Sequence, residues 1–340
     1  MTAIAVTARG GSGAQASRSS IYAGLVVLLF IAMLASLSLG YRLYALSEVW
    51  AAFAAHDGSE TATVITGLRL PRALIAPLVG AALGMAGVLV QTLSRNRIAS
   101  PDTLGLNAGA SLAVVVAMVV LGVQSMLGLS LAAALGALVT SVVVFGVAAG
   151  SGGLSPLKIV LVGVTFASLA HAAVEIILTS NEAQLQQLLF WLSGAFVDRP
   201  INLFFNGLPV VIAGTAGAFA LAGALDAMQA DDATAASLGV PLVAVRGMAF
   251  LSVSLLTGAA VSMAGPVAFV GLVVPHVARR LVGLRHRHQL LAAALTGAIY
   301  ATLADVVARF VIYPVEAPVG AITAVVGAVA LLALLMRRLA

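Results

Sequence analysis

The chain of 340 residues contains no cysteine, which excludes disulfide bonds, thiolate metal ligands and cysteine nucleophiles. Its only lysine, Lys158, stands in the segment SPLKIV and not in the Gly-Lys-Ser/Thr sequence of a phosphate-binding loop. No Ser/His/Asp constellation and no glycine fingerprint after a strand occurs either. We therefore predict that the polypeptide alone is not an enzyme and that it binds no cofactor or metal.

Charge is also scarce, because only 9% of the residues are Asp, Glu, Lys or Arg, against about 25% in a soluble domain. Hydrophobic residues make up 61% of the chain, and the mean hydropathy is +1.12. The sequence pI is about 10.2, but the basic residues are dispersed and form no face with interleaved aromatic residues. This composition indicates a membrane protein and argues against nucleic-acid binding.

Ten segments are long and apolar enough to be candidate spans, given that a spanning helix needs about 20 apolar residues. Helices are expected because hydrocarbon offers no partner to an unpaired backbone group. Residues 1–20 form a polar arm, and the span after it is too long for a signal peptide. We predict an all-α membrane protein with one domain, 21–340. The spans are 21–40, 70–93, 104–122, 128–148, 157–179, 202–223, 244–263, 266–284, 289–309 and 317–336.

An even number of spans places both termini on the same side of the membrane. With the termini in the cytoplasm, twelve of the 17 Lys and Arg residues fall on the cytoplasmic side, as the positive-inside rule requires. We therefore predict cytoplasmic termini. The five outward cations are Arg42, Arg69, Arg72, Arg199 and Arg309.

One short segment occurs twice, as GAALGMAG at 80–87 and GAAVSMAG at 258–265, with six of eight positions identical. The copies lie on the second and seventh spans, so they run in opposite directions. This predicts two five-helix halves of inverted topology, although chance similarity between small-residue segments is the alternative. Small residues also allow close helix packing. The candidate packing positions are Gly80, Gly84, Gly87, Gly258, Ser262 and Gly265.

A polar stretch, LDAMQADDATAASLGVPL at 225–242, interrupts the hydrophobic pattern between the sixth and seventh spans. It combines acidic residues with a helix-favouring run and ends at Gly239 and Pro241. We interpret it as a short helix outside the membrane that docks a soluble partner. A solvated connector is the alternative.

Several long segments, in this order along the chain, resemble the permease subunits of ferric-siderophore, haem and cobalamin ABC importers, the FecCD-type family. The resemblance covers the chain from about residue 21 to its end. The segments are RLPRALIAPLVGAALGMAGVLVQ, NRIASPDTLGLNAGASLA, ADDATAASLGVP, GPVAFVGLVVPHVARRLVGLRHR, LADVVAR and PVEAPVGAITAVVGA.

The resemblance implies the permease fold of a type II ABC importer in the bacterial cytoplasmic membrane. It implies a second permease subunit, identical or paralogous, two ATPases that bind ATP and Mg²⁺, and an external substrate-binding protein. In the family, the segment similar to ADDATAASLGVP is the coupling helix that enters a cleft of the ATPase. The matching residues are Asp231, Asp232, Ala233, Thr234, Ala235, Leu238 and Gly239.

Outward arginines of the family meet carboxylates of the binding protein, and Arg69, Arg72 and Arg309 match them. For Arg309, an intrahelical pair with Asp305 four residues earlier is an equal alternative. Gating residues of the family lie on the cytoplasmic side. The matching positions are Asn96, Ile98, Ser155 and Pro156.

The chain departs from the family at Arg97, where a proline is common; this extra cation could bind membrane lipid or alter gating. His171 and Glu175 share one face of the fifth span, and we favour a structural role with mutual hydrogen bonding over lining of the substrate pathway. We interpret the run His286, Arg287, His288 as a solvated cytoplasmic loop and not as a metal site.

The expected function is ATP-driven import of an iron(III)-siderophore or similar chelate by alternating access. The same machinery could carry haem or cobalamin, and the sequence does not choose among them. An ion-coupled secondary transporter also has inverted repeats but needs polar relay groups within the membrane, of which this chain has few.

Overall fold

The computed structural model describes residues 10–55, 59–150, 155–180, 188–189, 191–229, 231–312 and 315–339. Apart from one isolated bridge between Ile312 and Val315, the regular structure of these ranges is entirely helical. The helices are α1 Gly10–Ser38, α2 Leu46–Ala55, α3 Glu60–Leu93, α4 Leu106–Val119, α5 Met126–Gly150, α6 Pro156–Thr179, α7 Asn202–Ala220, α8 Ala222–Ala227, α9 Asp232–Ser237, α10 Leu242–Ala264, α11 Val270–Val282, α12 His286–Val311 and α13 Val319–Leu339.

Each of the ten predicted spans has a helix at its position, and seven helices are long and apolar enough to cross a membrane. Some boundaries differ from the prediction. Helix α1 begins at Gly10, so residue 20 is not a structural boundary of the polar arm, whose residues 1–9 lie outside the described ranges. Helix α3 begins ten residues before the predicted residue 70 and contains a π-helical stretch, Val64–Arg69.

The predicted spans 104–122 and 266–284 are wrong in length, because α4 and α11 have only 14 and 13 residues. A helix of 14 residues extends about 21 Å, less than the roughly 30 Å of hydrocarbon. Before α4 the chain forms a 3-10 turn at Pro101–Leu104 inside the bundle. A Cβ on Gly271 of α11 would lie 2.6 Å from Pro101 Cδ and 3.2 Å from the Leu83 carbonyl oxygen. Leu83 is ten residues, or about 15 Å along the helix, from the C-terminal end of α3. After leaving α3, the chain therefore returns into the bundle by about 15 Å before α4 starts.

Packing partners correspond between the two halves of the chain. Helix α3 packs on α12 and α11, and α10, which carries the second copy of the repeat, packs on α5 and α4. At residue level, Gly80 of α3 lies against the Gly297 carbonyl of α12, and Gly258 of α10 lies near Ala134 of α5. The equivalent glycines therefore contact equivalent helices. Gly265 lies just past α10, where its φ of +75° ends that helix.

The other small residues of the repeat differ in their contacts. A Cβ on Gly84 would lie 2.5 Å from the Ala293 carbonyl oxygen, and one on Gly87 would overlap the backbone of Gly271. Such carbonyl contacts need glycine, because a side chain would force the helices apart. Ser262 instead donates its hydroxyl to the Ala259 carbonyl one turn earlier in its own helix, at 2.8 Å.

Helix α3 forms the buried axis of the bundle, whereas α1 and α6 lie at its periphery. In the most apolar window of α3, 83% of residues are buried, against 11% in α1 and 22% in α6. The exposed faces of α1 and α6 are apolar, as expected for surfaces that contact lipid or another membrane subunit.

Candidate functional site: charged clusters at the two ends of α3

The first cluster, here called the arginine cluster, surrounds the N-terminal part of α3 and comprises Arg69, Arg72, Asp305, Arg309 and Glu316. Arg72 donates from Nη1 to both carboxylate oxygens of Glu316, at 3.0 and 2.7 Å, and from Nη2 to Asp305 Oδ1 at 2.7 Å. Such paired, charge-assisted bonds fix the guanidinium plane. Arg72 thereby connects α3 to α12 and to the segment before α13.

The intrahelical alternative for Arg309 is confirmed, because its Nη2 donates to Asp305 Oδ2 within α12. Its Nη1 also donates to the carbonyl oxygens of Ser36 and Leu39, each at 2.7 Å. Asp305, which is fully buried, therefore lies between the guanidinium groups of Arg309 and Arg72.

Arg69 binds the end of α1 and the turn that follows it. It donates to the carbonyl oxygens of Leu37 and Ser38, both at 2.8 Å, and to that of Arg42, and it lies 4.4 Å from the ring centre of Tyr44. Backbone carbonyls of a helix end otherwise lack partners, so this arginine caps α1.

The three arginines of the cluster are 4–7% exposed, and internal partners bind each of them. Their contact with a binding protein stays a prediction. Glu316, for which no role was predicted from the sequence, is 34% exposed and is the more accessible carboxylate of the cluster. The feature of the sequence that could have indicated a role is that Glu316 is the single acidic residue of the segment PVEAPVG.

The second cluster, here called the Asp232 cluster, lies beyond the C-terminal end of α3. Asp232, the first residue of α9, accepts two bonds from Arg246 Nη2, at 2.8 and 2.7 Å, and one from Arg95 Nη2 at 2.7 Å. Arg95 is the second residue after α3 and has a φ of 49°. A single carboxylate therefore joins α9, α10 and the loop after α3.

Helix α9 covers only Asp232–Ser237, a small part of the predicted coupling region 225–242. Asp231 is its N-cap, and its carboxylate accepts bonds from the Thr234 N–H at 2.6 Å and hydroxyl at 2.8 Å. These bonds lower the pKa of Asp231. Ala235 is buried beneath the segment, while Leu238 is 69% exposed and Gly239 adopts a φ of +81°. The segment thus presents an apolar side chain at its tip.

Of the residues matched to the family gate, two lie in the loop that starts with Arg95. Asn96 Oδ1 accepts the Ile98 N–H at 3.1 Å, and the Ile98 side chain is 52% exposed. Ser155 caps α6 by accepting the Lys158 N–H, with Pro156 as the first helical residue. In the described ranges no hydrogen bond joins the two pairs. Arg97, at the family's proline position, is exposed.

The interpretation of the His286 run as a solvated loop is wrong for His286 itself, which is 2% exposed. The ring nitrogen Nδ1 lies 2.7 Å from Asp226 Oδ1, and Nε2 lies 2.8 Å from Thr92 Oγ1. The backbone N–H of His286 also donates to Asp226 Oδ1. Gln229 also contacts the ring, at 3.1 Å. His286 of α12 therefore joins Asp226, in the segment before α9, to Thr92 of α3. These residues are far apart in the sequence, so local sequence does not reveal the contacts.

His171 and Glu175 lie on α6 as predicted, but among the described side chains no hydrogen bond joins them. Glu175 is exposed, and His171 borders a polar recess that also contains Asp102 and Asn107. The expectation of mutual hydrogen bonding is therefore not met.

The described residues form a helical bundle with seven membrane-length helices, two shorter helices and a polar segment at one end, an architecture typical of multi-pass membrane transport proteins. The comparison with solved structures agrees. A structure described as an inward-facing metal-chelate type ABC transporter matches 94% of this chain and 99% of its own, with a TM-score of 0.82 and 28% identity. The chain belongs to the FecCD transport family, whose model matches residues 28–337.

Curated relatives cover nearly the whole chain. The probable siderophore transport system permease protein YfiZ of Bacillus subtilis is 37% identical over 91% of this chain and 94% of its own length. The ferric enterobactin transport system permease protein FepD of Escherichia coli is 38% identical over 95% and 96%, respectively. The chain is accordingly a permease of the same kind, and the predicted family is confirmed.

Proposed function

We propose that the chain is the permease subunit of an ATP-driven importer of ferric siderophores, with the Asp232 cluster in the cytoplasm and the arginine cluster outside. The distribution of basic residues supports this orientation. The names of the relatives YfiZ and FepD support the substrate class. The observation that carries the proposal is the segment around α9, which exposes Leu238 and is bonded to the loop after α3.

The cytoplasmic ATPases would bind the segment from Asp231 to Gly239. Leu238 offers an exposed apolar contact, and the buried Ala235 anchors the segment to the bundle. When the segment moves with the ATPase, Asp232 would pull Arg95, and with it the loop that holds Asn96 and Ile98. Transfer of motion through an ion pair requires no further contact, so the pair itself is a coupling element between ATPase and gate.

The external binding protein would dock on the arginine cluster through its own carboxylates. Three guanidinium groups against the two carboxylates of Asp305 and Glu316 give this cluster a net charge of +1. Glu316 occupies Arg72 through two bonds and remains 34% exposed, so a carboxylate from a partner can replace it without opening the buried pair of Asp305.

A second permease subunit would cover the exposed apolar face of α6, and substrate would pass between the two subunits. Alternating access would then arise from rocking of the paired bundles as the ATPases close and open.

Uptake by proteoliposomes separates this proposal from ion-coupled transport. We expect accumulation of a ferric siderophore with active ATPase and its loss with an ATPase that cannot hydrolyse ATP. A protonophore should have no effect. Uptake that persists with the inactive ATPase and collapses with the protonophore would contradict the proposal.

A further inference from the structure

A partly open recess of about 450 Å³, mainly apolar but with several polar side chains, lies between α4, α6 and the start of α13. Its polar lining includes Asp102, Asn107, Ser111 and His171, and the rest of its wall is mainly apolar. The recess therefore concentrates hydrogen-bonding groups in a body that is otherwise short of them. None of the roles proposed above uses these side chains.

Asn107 has a buried acceptor without a partner. Its side chain is fixed because Nδ2 donates to Asp102 Oδ1, while Oδ1, on a residue only 7% exposed, accepts no hydrogen bond in the described part of the chain. Leaving such a buried acceptor unpaired is costly, and native proteins rarely do so without a reason. A hydrogen-bond donor that enters the recess and reaches Asn107 would satisfy this acceptor.

The fold holds these acceptors far from either end of the bundle. Asp102 is in the 3-10 turn that lies near Leu83 of α3, about 15 Å from the end of that helix, and Asn107 is in the first turn of α4. Gly105, between them, has a φ of +75°, and a Cβ there would lie 2.9 Å from the Gly163 carbonyl of α6. The re-entrant turn therefore places a carboxyl and an amide oxygen at the depth of the hydrocarbon layer, where polar groups usually serve function.

The chemistry of the lining selects the ligand. Asp102 and Asn107 present oxygen acceptors, no Lys or Arg lines the recess, and the exposed imidazole of His171 stands at its border. Oxygen acceptors bind N–H and O–H donors, most strongly when the donor is an ammonium group. The volume is at the lower end for small-molecule sites, so it suits one arm of a chelate and not the whole complex.

From this we infer that the recess is a subsite of the translocation pathway that binds a hydrogen-bond-donating arm of the imported chelate, an ammonium group above all. The inference rests on the proposed import of ferric chelates. Asp102 and Asn107 are the binding residues, and His171 borders their entrance from α6.

The absence of cysteine provides a direct test. In Ser111→Cys the recess carries the only thiol of the chain, and its modification by a small thiol reagent reports whether the recess is occupied. The probes are a ferric trihydroxamate with a free primary amine and its N-acetylated counterpart. We expect the amine form to slow modification about tenfold and the acetylated form to do so far less.

Two further substitutions in the Ser111→Cys chain test the binding residues, and one separate cysteine variant serves as a control. Asn107→Leu or Asp102→Asn, each combined with Ser111→Cys, should abolish the difference between the two chelates. Ser125→Cys, exposed before α5 and outside the recess, should react equally with and without chelate. Complexes are assembled with both ATPases in lipid nanodiscs, and their elution as a single species shows that the variants fold.

Equal protection by the two chelates, protection that survives both background changes, or no protection at all would overturn the inference, since the recess would then not bind a donor group through Asp102 and Asn107. Uptake of the same chelates by the unmodified complex is measured separately. If uptake fails while thiol protection follows the expected pattern, the proposed import of this chelate class is wrong and the recess remains a site for donor groups.

Discussion

Each end of α3 has one carboxylate held between two arginines, but the two arrangements differ in burial. Asp305, between Arg72 and Arg309, is fully buried, and those arginine side chains are 9% and 2% exposed. Asp232, between Arg95 and Arg246, is 39% exposed, as is the Arg95 side chain, whereas the Arg246 side chain is 7% exposed. A buried pair has no solvent to replace a lost partner, whereas a half-exposed pair can exchange its partner for water. The first arrangement therefore suits a fixed joint, and the second suits a joint that moves.

The largest effect is expected from Asp305→Asn. This change keeps the side-chain shape but leaves Arg72 and Arg309 without a shared buried counterion, a loss that costs about 3–5 kcal/mol. Thermal unfolding of the purified complex should begin on the order of 10 °C lower. A matched control is Asp232→Asn, the same chemical change at the exposed end. Equal loss of thermal stability in the two variants would show that burial does not distinguish the clusters.

Asp232→Asn should instead reduce transport. Asp232 is 39% exposed but its partner Arg246 is buried, so the unfolding temperature should fall, though by less than in Asp305→Asn, where the carboxylate and both arginines are buried. ATP-driven uptake should fall roughly tenfold while ATP hydrolysis continues, because the loop after α3 no longer follows the segment around α9. Arg95→Gln removes the same bond from the other side.

The double variant of Asp232→Asn and Arg95→Gln tests whether the two side chains act together. Its uptake should equal that of Asp232→Asn alone, since that change already removes the bond to Arg95. Fully additive losses, or normal uptake by Arg95→Gln, would show that the pair does not couple the segment to the loop.

Glu316→Gln should have a smaller effect, at the exposed edge of the buried cluster. Arg72 keeps its bond to Asp305, so stability should change by less than about 1 kcal/mol. With its competitor weakened, Arg72 should bind a partner carboxylate better, and affinity for the binding protein should rise roughly threefold. Surface plasmon resonance at low and moderate salt measures this change. Weaker binding in the variant would mean that Glu316 itself contacts the binding protein.

Local patterns in the sequence predicted the helix positions, the polar segment and the pair of Asp305 with Arg309, because each depends on residues close together in the chain. The re-entry of Pro101–Leu104 was not predictable in this way, since hydropathy does not distinguish a complete span from a turn and a short helix. The bonds of Asp226 to His286 and of Asp232 to Arg95 join residues far apart in sequence. The recess beside Asn107 likewise depends on tertiary contacts, although an Asn near the start of an apolar helix was a visible signal.

The smallest expected effect concerns the N-cap of α9, which holds the exposed cluster in shape. Asp231→Ala removes the acceptor of the Thr234 N–H and hydroxyl, so amide hydrogen exchange across 232–237 should quicken, whereas Asp231→Asn, a good cap itself, should change it little. Because these bonds lower the pKa of Asp231, their contribution is present at neutral pH and is lost as the pH falls below the ordinary value of about 3.9 and then through the lowered one. The difference between the Ala variant and the native chain should therefore disappear in acid, after correction for intrinsic exchange rates. A difference that persists at low pH would mean that the carboxylate does not cap α9, and that Asp232 alone sets the position of the segment.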